Sequence, residues 1–204
     1  MTSAAQPADS ADASVTSIVG GGAKLGLITA VGAAAFALIS RMIDGPTELV
    51  FQSLLVLVGG ALFSYLPAVW LKPSSVDSIA WTSLVGLLGA LVFTVLDTAV
   101  LRPLNTYHWT WDQIGGGSGF WYIPVWWMSA TTLAWLGAWI YSAAARAGPV
   151  NVPAVIGRTW IMTVVLFAIA GTVRIGPFSS AMMALAFGVA LVVHVLLATT
   201  LLRK

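Results

Sequence analysis

The chain has 204 residues, of which 59% are hydrophobic and only 8% are charged, and its net charge is +2. Soluble domains carry roughly 25% charged residues, so this composition excludes a water-soluble globular domain and predicts that lipid surrounds most of the chain. Cysteine is absent, which excludes disulfides, thiolate catalysis and cysteine zinc sites. No run of basic residues points to nucleic acid as a partner.

The order of segments along the chain predicts one membrane domain. Residues 1–20 are rich in Ala, Ser, Thr and Asp and lack the basic start and apolar core of a signal peptide, so we expect a disordered tail. Residues 21–204 are expected to form a compact, all-α bundle of six transmembrane helices, each long enough to cross a bilayer. The six segments are 23–43, 48–71, 79–101, 120–145, 156–173 and 178–202.

The basic residues indicate an orientation. With both termini in the cytoplasm, six basic residues lie inside: Lys24, Lys72, Arg146, Arg158, Arg203 and Lys204. Three then lie outside: Arg41, Arg102 and Arg174. The excess inside favours an N-in, C-in topology. The high Ala, Gly and Val content is typical of a GC-rich bacterium, so we expect the inner membrane of a bacterial cell.

Three polar residues inside the predicted helices are candidates for function, because polar groups in hydrocarbon are costly. Asp97 could pair with Arg102, five residues later, or accept a hydrogen bond at the mouth of a cavity. His194 is expected to be neutral and hydrogen-bonded to a neighbouring helix. Gln52, early in the second segment, is expected to face the interior or the outer interface.

No catalytic or metal-binding pattern accompanies these residues. The chain has no H-E-x-x-H, no G-x-S-x-G and only two histidines, His108 and His194, which the topology separates. We therefore predict neither catalytic residues nor a metal nor another cofactor. A bundle with apolar walls and few polar groups favours a ligand that is mostly apolar with one polar end.

Tryptophans are concentrated around the fourth segment. Most of the aromatic residues there, from Tyr107 to Trp127, match an interfacial belt, whereas Trp135 and Trp139 lie deeper. Trp127, Trp135 and Trp139 are spaced by eight and four residues, so they share one helix face and either pack the bundle or line a pocket. On depth and periodicity we predict that these three tryptophans form apolar lining for a lipid, with Gln52 and Asp97 as its polar contacts.

The stretch "GFWYIPVWWMSATTLAWLGAW", residues 119–139, resembles the Insig family of small six-helix, sterol-sensing membrane proteins. The counterparts of the family's Trp/Pro helix start and small residues are Trp121, Pro124, Trp126, Trp127, Ala130 and Gly137. The resemblance implies a non-enzymatic bundle that binds an amphipathic lipid, either sterol-like or diacylglycerol-like, in a cavity among its helices.

Two alternatives remain open. The stretch "LDTAVLRPLNTYHWTW", followed by glycines and "YIPVWW", is also similar to carotenoid hydratase-like membrane proteins. That similarity implies acid–base chemistry by Asp97 or Asp112 on an isoprenoid double bond. The second alternative is a structural subunit of a membrane complex, with glycine-rich helix faces as contacts; the same faces would allow a homo-oligomer.

Overall fold

A computed structural model describes residues 14–107 and 122–201. All regular structure in these residues is helical. The helices are α1 (Val15–Met42), α2 (Pro46–Leu71), α3 (Val76–Leu96), α4 (Tyr122–Arg146), α5 (Val152–Thr172) and α6 (Ser180–Leu201), and a π-helical turn, Asp97–Leu101, extends α3. The predicted helical bundle is confirmed in this form.

Five helices in the described part of the chain are long and apolar enough to cross a membrane, which supports a multi-pass membrane protein: Val15–Met42, Pro46–Leu71, Val76–Leu101, Val152–Thr172 and Ser180–Thr200. The helix outside this set is α4, whose 25 residues include four tryptophans and two tyrosines with polar ring atoms. It packs against α2, α3 and α6 and thus lies inside the bundle. The count of six spans and their orientation stay predictions.

The first helix begins earlier than the sequence pattern indicated. The sequence predicts a first span that starts at residue 23 and a tail over 1–20, whereas α1 begins at Val15. The Ser14 hydroxyl accepts a hydrogen bond of 3.2 Å from the Ser17 backbone N–H and so caps the helix. Ile18 is buried in a cluster with Leu25 and Val85 of α3, which gives this extra turn tertiary support. Residues 1–13 of the predicted tail lie outside the described residues.

Short turns make neighbouring helices antiparallel. Gly45, with φ of 74°, precedes Pro46 at the start of α2. Positive φ is the region that glycine tolerates best, so the turn between α1 and α2 depends on this residue. One end of the bundle holds the end of α1, the start of α2, the π-helical turn, the start of α4 and the turn from α5 to α6. We call it the Tyr107 end and the opposite end the Arg146 end.

Glycines allow α1, α3 and α4 to pack closely. A Cβ added at Gly26 of α1 would lie 2.6 Å from the Cβ of Val92 on α3. A Cβ at Gly86 of α3 would lie 2.6 Å from the carbonyl oxygen of Ala130 on α4. Because lipid offers no hydrophobic drive between helices, such close van der Waals packing is what holds these three helices together.

The tightest approach joins α2 to α4. A Cβ added at Gly137 would lie 1.9 Å from the carbonyl oxygen of Ser64, so the two backbones meet directly at this point. A buried cluster from α2, α4, α5 and α6 surrounds the contact and includes Tyr65, Ile140 and Leu191. The Ser64–Gly137 contact lies in the half of the bundle nearer the Arg146 end, where α2 and α4 both finish.

Candidate functional site

A cavity of about 710 Å³ occupies the half of the bundle nearer the Tyr107 end. We call it the α1–α2 cavity, because residues of α1 and α2 form most of its wall, with contributions from α3, α4 and α6. Its apolar lining includes Ile28, Phe36, Phe63, Leu133 and Phe187. Such a volume falls within the range of about 300–1,000 Å³ that is typical of ligand pockets.

Most polar side chains of this cavity lie at the Tyr107 end; the exception is Thr29 in the middle of α1. Ser40 lies near the end of α1 and Gln52 near the start of α2. Both donate to one carboxylate oxygen, Oε1 of Glu48: the Ser40 hydroxyl at 3.0 Å and the Gln52 amide nitrogen at 2.7 Å. Glu48 lies in the first turn of α2, where the helix dipole favours a negative charge. The carboxylate thus links α1 to α2 and fixes the orientation of the Gln52 side chain.

A second polar group at this end is built on the π-helical turn. Asp97 is 1% exposed; its Oδ1 accepts a bond of 2.7 Å from the Tyr107 hydroxyl, and its Oδ2 accepts one of 3.1 Å from Nε of Arg102. The backbone N–H of Arg102 donates to the carbonyl of Asp97, and this i→i+5 spacing brings both side chains to one face. Tyr107 lines the cavity, whereas Asp97 lies behind it.

Both sequence-based interpretations of Asp97 therefore describe part of its surroundings. The expected partner Arg102 forms the ion pair, which confirms that prediction. The hydrogen-bond acceptor role is also present, although the bond runs to Tyr107 rather than to a ligand.

Gln52 and the three predicted tryptophans lie in different places. Gln52 lines the α1–α2 cavity; Trp127, Trp135 and Trp139 are not among its lining residues. The indole nitrogen of Trp127 donates to the hydroxyl of Thr94 on α3 at 3.1 Å. Trp135 is 45% exposed and stands edge-on to Trp139, with ring centroids 6.4 Å apart. A contact between these tryptophans and a lipid stays a prediction and gains no support from this cavity.

Among the described tryptophans, Trp126 is the one that lines the cavity, and the sequence pattern assigned it to the interfacial belt. Its ring packs edge-on against Phe93 of α3, with centroids 5.8 Å apart. Helical spacing could have identified Trp126 as a lining residue. Trp126 and Leu133 are seven residues apart on one face of α4, and both line the cavity. Ser40, Tyr107 and Ser180 gave no such signal, since they lie at helix ends.

A buried chain of polar groups joins three helices on the other side of the Ser64–Gly137 contact. The hydroxyl groups of Tyr65 on α2 and Thr159 on α5 are 2.6 Å apart, and the Thr159 hydroxyl is 2.8 Å from Nδ1 of His194 on α6. All three side chains are buried. The expected hydrogen bond from His194 to a neighbouring helix is confirmed, and Thr159 is its partner.

Several predicted residues lie outside the described residues, namely His108, Trp109, Trp111, Asp112 and Trp121. The carotenoid hydratase-like alternative therefore keeps Asp112 as a prediction. Within 14–107 and 122–201, no three His, Asp or Glu side chains are grouped so that they could hold a metal ion.

Comparisons with known proteins give no functional assignment. No family model, no curated protein and no solved structure matches the chain. The resemblance to the Insig family thus stays a prediction, and the cavity and its polar groups have to be interpreted by their own chemistry.

Proposed function

We propose that the protein binds one neutral amphipathic lipid, sterol-like or diacylglycerol-like, in the α1–α2 cavity. The observation that carries this proposal is the polarity gradient of the cavity. Apart from Thr29, whose hydroxyl is used by a backbone carbonyl of α1, its walls are apolar along α1, α2 and α6, and its other polar side chains lie together at the Tyr107 end. A ligand with a long apolar body and one polar end matches this arrangement.

The polar end suits a hydroxyl headgroup. The amide nitrogen of Gln52 is used by Glu48, and the amide oxygen has no hydrogen-bond partner among the described residues. A ligand hydroxyl could donate to this oxygen and accept from the hydroxyl of Ser180, which lines the same cavity. Because the Glu48 carboxylate holds the amide, the acceptor is positioned before the ligand arrives, which reduces the entropic cost of binding.

The charges around this end favour a neutral headgroup. The carboxylates of Glu48 and Asp97 both contact cavity-lining side chains. Asp97 is neutralised by Arg102, while no described cation lies within ion-pair distance of Glu48. An anionic headgroup beside Gln52 would be repelled by Glu48, since like charges in a poorly solvated site interact strongly.

This proposal agrees with the non-enzymatic role that the Insig resemblance implies, in an inner membrane and with both termini inside. It also allows the protein to act as a homo-oligomer. The competing proposals, an isoprenoid-modifying enzyme that uses Asp97 or Asp112 and a structural subunit, predict different molecules in the purified protein. Lipid content therefore separates the three.

The test is native mass spectrometry of the full-length protein in mild detergent, followed by identification of the retained lipid. Gly32 lines the cavity and Gly20 does not, and a Cβ at either would meet nothing within 4 Å. Gly32→Leu places a side chain in the cavity, and Gly20→Leu makes the same change elsewhere on α1. Gly59→Leu on α2 and Gly188→Leu on α6 form a second matched pair.

We expect one enriched neutral lipid in the unmodified protein and in Gly20→Leu and Gly188→Leu. The two cavity variants should lose most of it, because leucine occupies the volume that the lipid needs. A bulk-lipid profile with nothing enriched would contradict the proposal and favour the structural subunit. A hydrated isoprenoid found with its precursor would favour the enzyme.

A further inference from the structure

A second cavity, of about 490 Å³, lies between α4, α5 and α6 at the Arg146 end. We call it the α5–α6 cavity. Its walls are apolar and include Ile140, Val155, Ile161 and Leu197. Among the described residues, the ionisable side chains that line it are Arg158 and His194, and both are basic. The cavity thus combines an apolar interior with basic groups, whereas the α1–α2 cavity has carboxylates behind its polar end.

No acidic side chain among the described residues lies within ion-pair distance of Arg158. This arginine lies seven residues after Asn151, which caps α5. At 1.5 Å per residue this is about 10 Å along the helix axis. A guanidinium group at this depth in a membrane helix is costly unless an anion or the headgroup region compensates it.

His194 presents a hydrogen-bonding edge to the same cavity. Its Nδ1 is bound to Thr159, whose hydroxyl is also in contact with that of Tyr65. Nε2 has no hydrogen-bond partner in the described part of the chain. When the Thr159 hydroxyl donates to Nδ1, the neutral ring carries its proton on Nε2, from which it can be donated to a ligand.

We propose that the α5–α6 cavity binds an anionic single-chain amphiphile. The carboxylate or phosphate of the ligand lies between the Arg158 guanidinium and Nε2 of His194, and its acyl chain lies along the apolar walls. A guanidinium group matches the geometry of both anions, because each offers two oxygens to its parallel N–H groups. The smaller volume favours one chain rather than the two of a bilayer phospholipid. The site is separate from the α1–α2 cavity and does not depend on its ligand.

The test is a scintillation proximity assay in which tritiated palmitate binds to the full-length, detergent-solubilised protein. The decisive variant is Arg158→Gln, which removes the charge from the cavity. Its matched control is Arg146→Gln, because Arg146 is exposed at the same end of the bundle and does not line the cavity. Both arginines are exposed, so neither change should impair folding. Arg158→Lys keeps the positive charge and removes the guanidinium group that can donate two parallel hydrogen bonds.

We expect palmitate to bind about tenfold more weakly to Arg158→Gln and within about twofold of normal to Arg146→Gln. Arg158→Lys should lie between them. Methyl palmitate, which has the same chain and no charge, should fail to displace the label. Gly32→Leu should bind palmitate normally, and this result separates the α5–α6 cavity from the lipid proposed for the α1–α2 cavity.

Lysophosphatidic acid and unlabelled palmitate serve as competitors that distinguish a phospholipid-derived phosphate from a free fatty acid. Displacement by either supports the site, and the one effective at lower concentration identifies the source. Equal losses in Arg158→Gln and Arg146→Gln would overturn the proposal, because surface charge would then explain binding. Displacement by methyl palmitate as effective as that by palmitate would also overturn it.

Discussion

The interface between α2 and α4 changes character along its length. At the Ser64–Gly137 contact the backbones of the two helices meet, whereas nearer the Tyr107 end Gln52 of α2 and Trp126 of α4 both line the α1–α2 cavity. Small residues produce the contact, and large rings such as Phe63 and Phe187 line the space beyond it. In lipid no hydrophobic force closes such a space, so residue size decides where helices touch and where a ligand fits.

Gly137→Ala should have the largest effect, because it disrupts the backbone contact between α2 and α4. The new methyl group would lie 1.9 Å from the Ser64 carbonyl oxygen, and neither backbone can move without displacing its helix. We expect a loss of about 3 kcal/mol in the free energy of unfolding, at the upper end of typical overpacking costs. Thermal unfolding in detergent measures it.

The control for that measurement is Gly20→Ala on α1. A Cβ at Gly20 meets nothing within 4 Å, so alanine there should be neutral or slightly stabilising through its better helix propensity. Equal melting temperatures for both variants would show that α2 and α4 do not meet at Gly137.

Thr159→Val tests whether the buried polar chain also stabilises the half of the bundle that contains the Ser64–Gly137 contact. It leaves the Tyr65 hydroxyl and Nδ1 of His194 buried without their shared partner. We expect destabilisation of about 1–2 kcal/mol, since hydrogen bonds between membrane helices contribute modestly and unpaired buried groups add a penalty. Thr159→Ser should restore most of the loss.

A matched control for this change lies on the same helix. Thr163 is also fully buried, but its hydroxyl donates only to the backbone carbonyl of Thr159, at 2.7 Å. Thr163→Val therefore removes no contact between helices and should cost much less. If both valine variants unfold at the same temperature, the polar chain does not join α2, α5 and α6.

Gln52→Leu tests the polar end of the α1–α2 cavity and should have a smaller effect. It removes the amide oxygen proposed to accept from the ligand hydroxyl, while the leucine keeps the cavity wall apolar. We expect about fivefold lower lipid retention per folded protein, which corresponds to roughly 1 kcal/mol. Quantitative lipid mass spectrometry gives the ratio.

Thr29→Val is the control for a loss of polarity elsewhere in the cavity wall. Thr29 lines the same cavity, but its hydroxyl already donates to the carbonyl of Leu25 at 2.8 Å. Retention should therefore be unchanged in this variant. A similar loss in both variants would mean that lining polarity in general, rather than the Gln52 amide, determines binding.

The helical class and most helix positions were predictable because each rests on local composition. Long apolar runs require helices in lipid, and Pro, Gly and polar residues mark the turns. The early start of α1 was missed because the Ser/Thr-rich residues before 21 carry a weak apolar signal, and the burial of Ile18 against α3 depends on tertiary packing.

The site was less predictable, because depth and helix face do not reveal which neighbour a face meets. Gln52 was selected for its polarity and does line the cavity. The spacing of Trp135 and Trp139 correctly places them side by side on one face, yet neither residue lines the cavity. Tyr107 was assigned to the interfacial belt, and its role at the cavity depends on the π-helical turn, for which the sequence pattern gave no signal.

Asp97→Asn should have the smallest effect on lipid retention and separates binding from catalysis. Asp97 does not line the α1–α2 cavity, and asparagine can still accept from the Tyr107 hydroxyl through its amide oxygen. We expect a change of less than about twofold in lipid retained per folded protein, although the loss of charge opposite Arg102 lowers stability.

An enzyme that uses Asp97 as its acid–base group would instead keep its isoprenoid and lose the hydrated product, because an amide cannot transfer the proton. The ratio of product to precursor in the lipid extract therefore decides between a cavity that only holds its ligand and one that changes it.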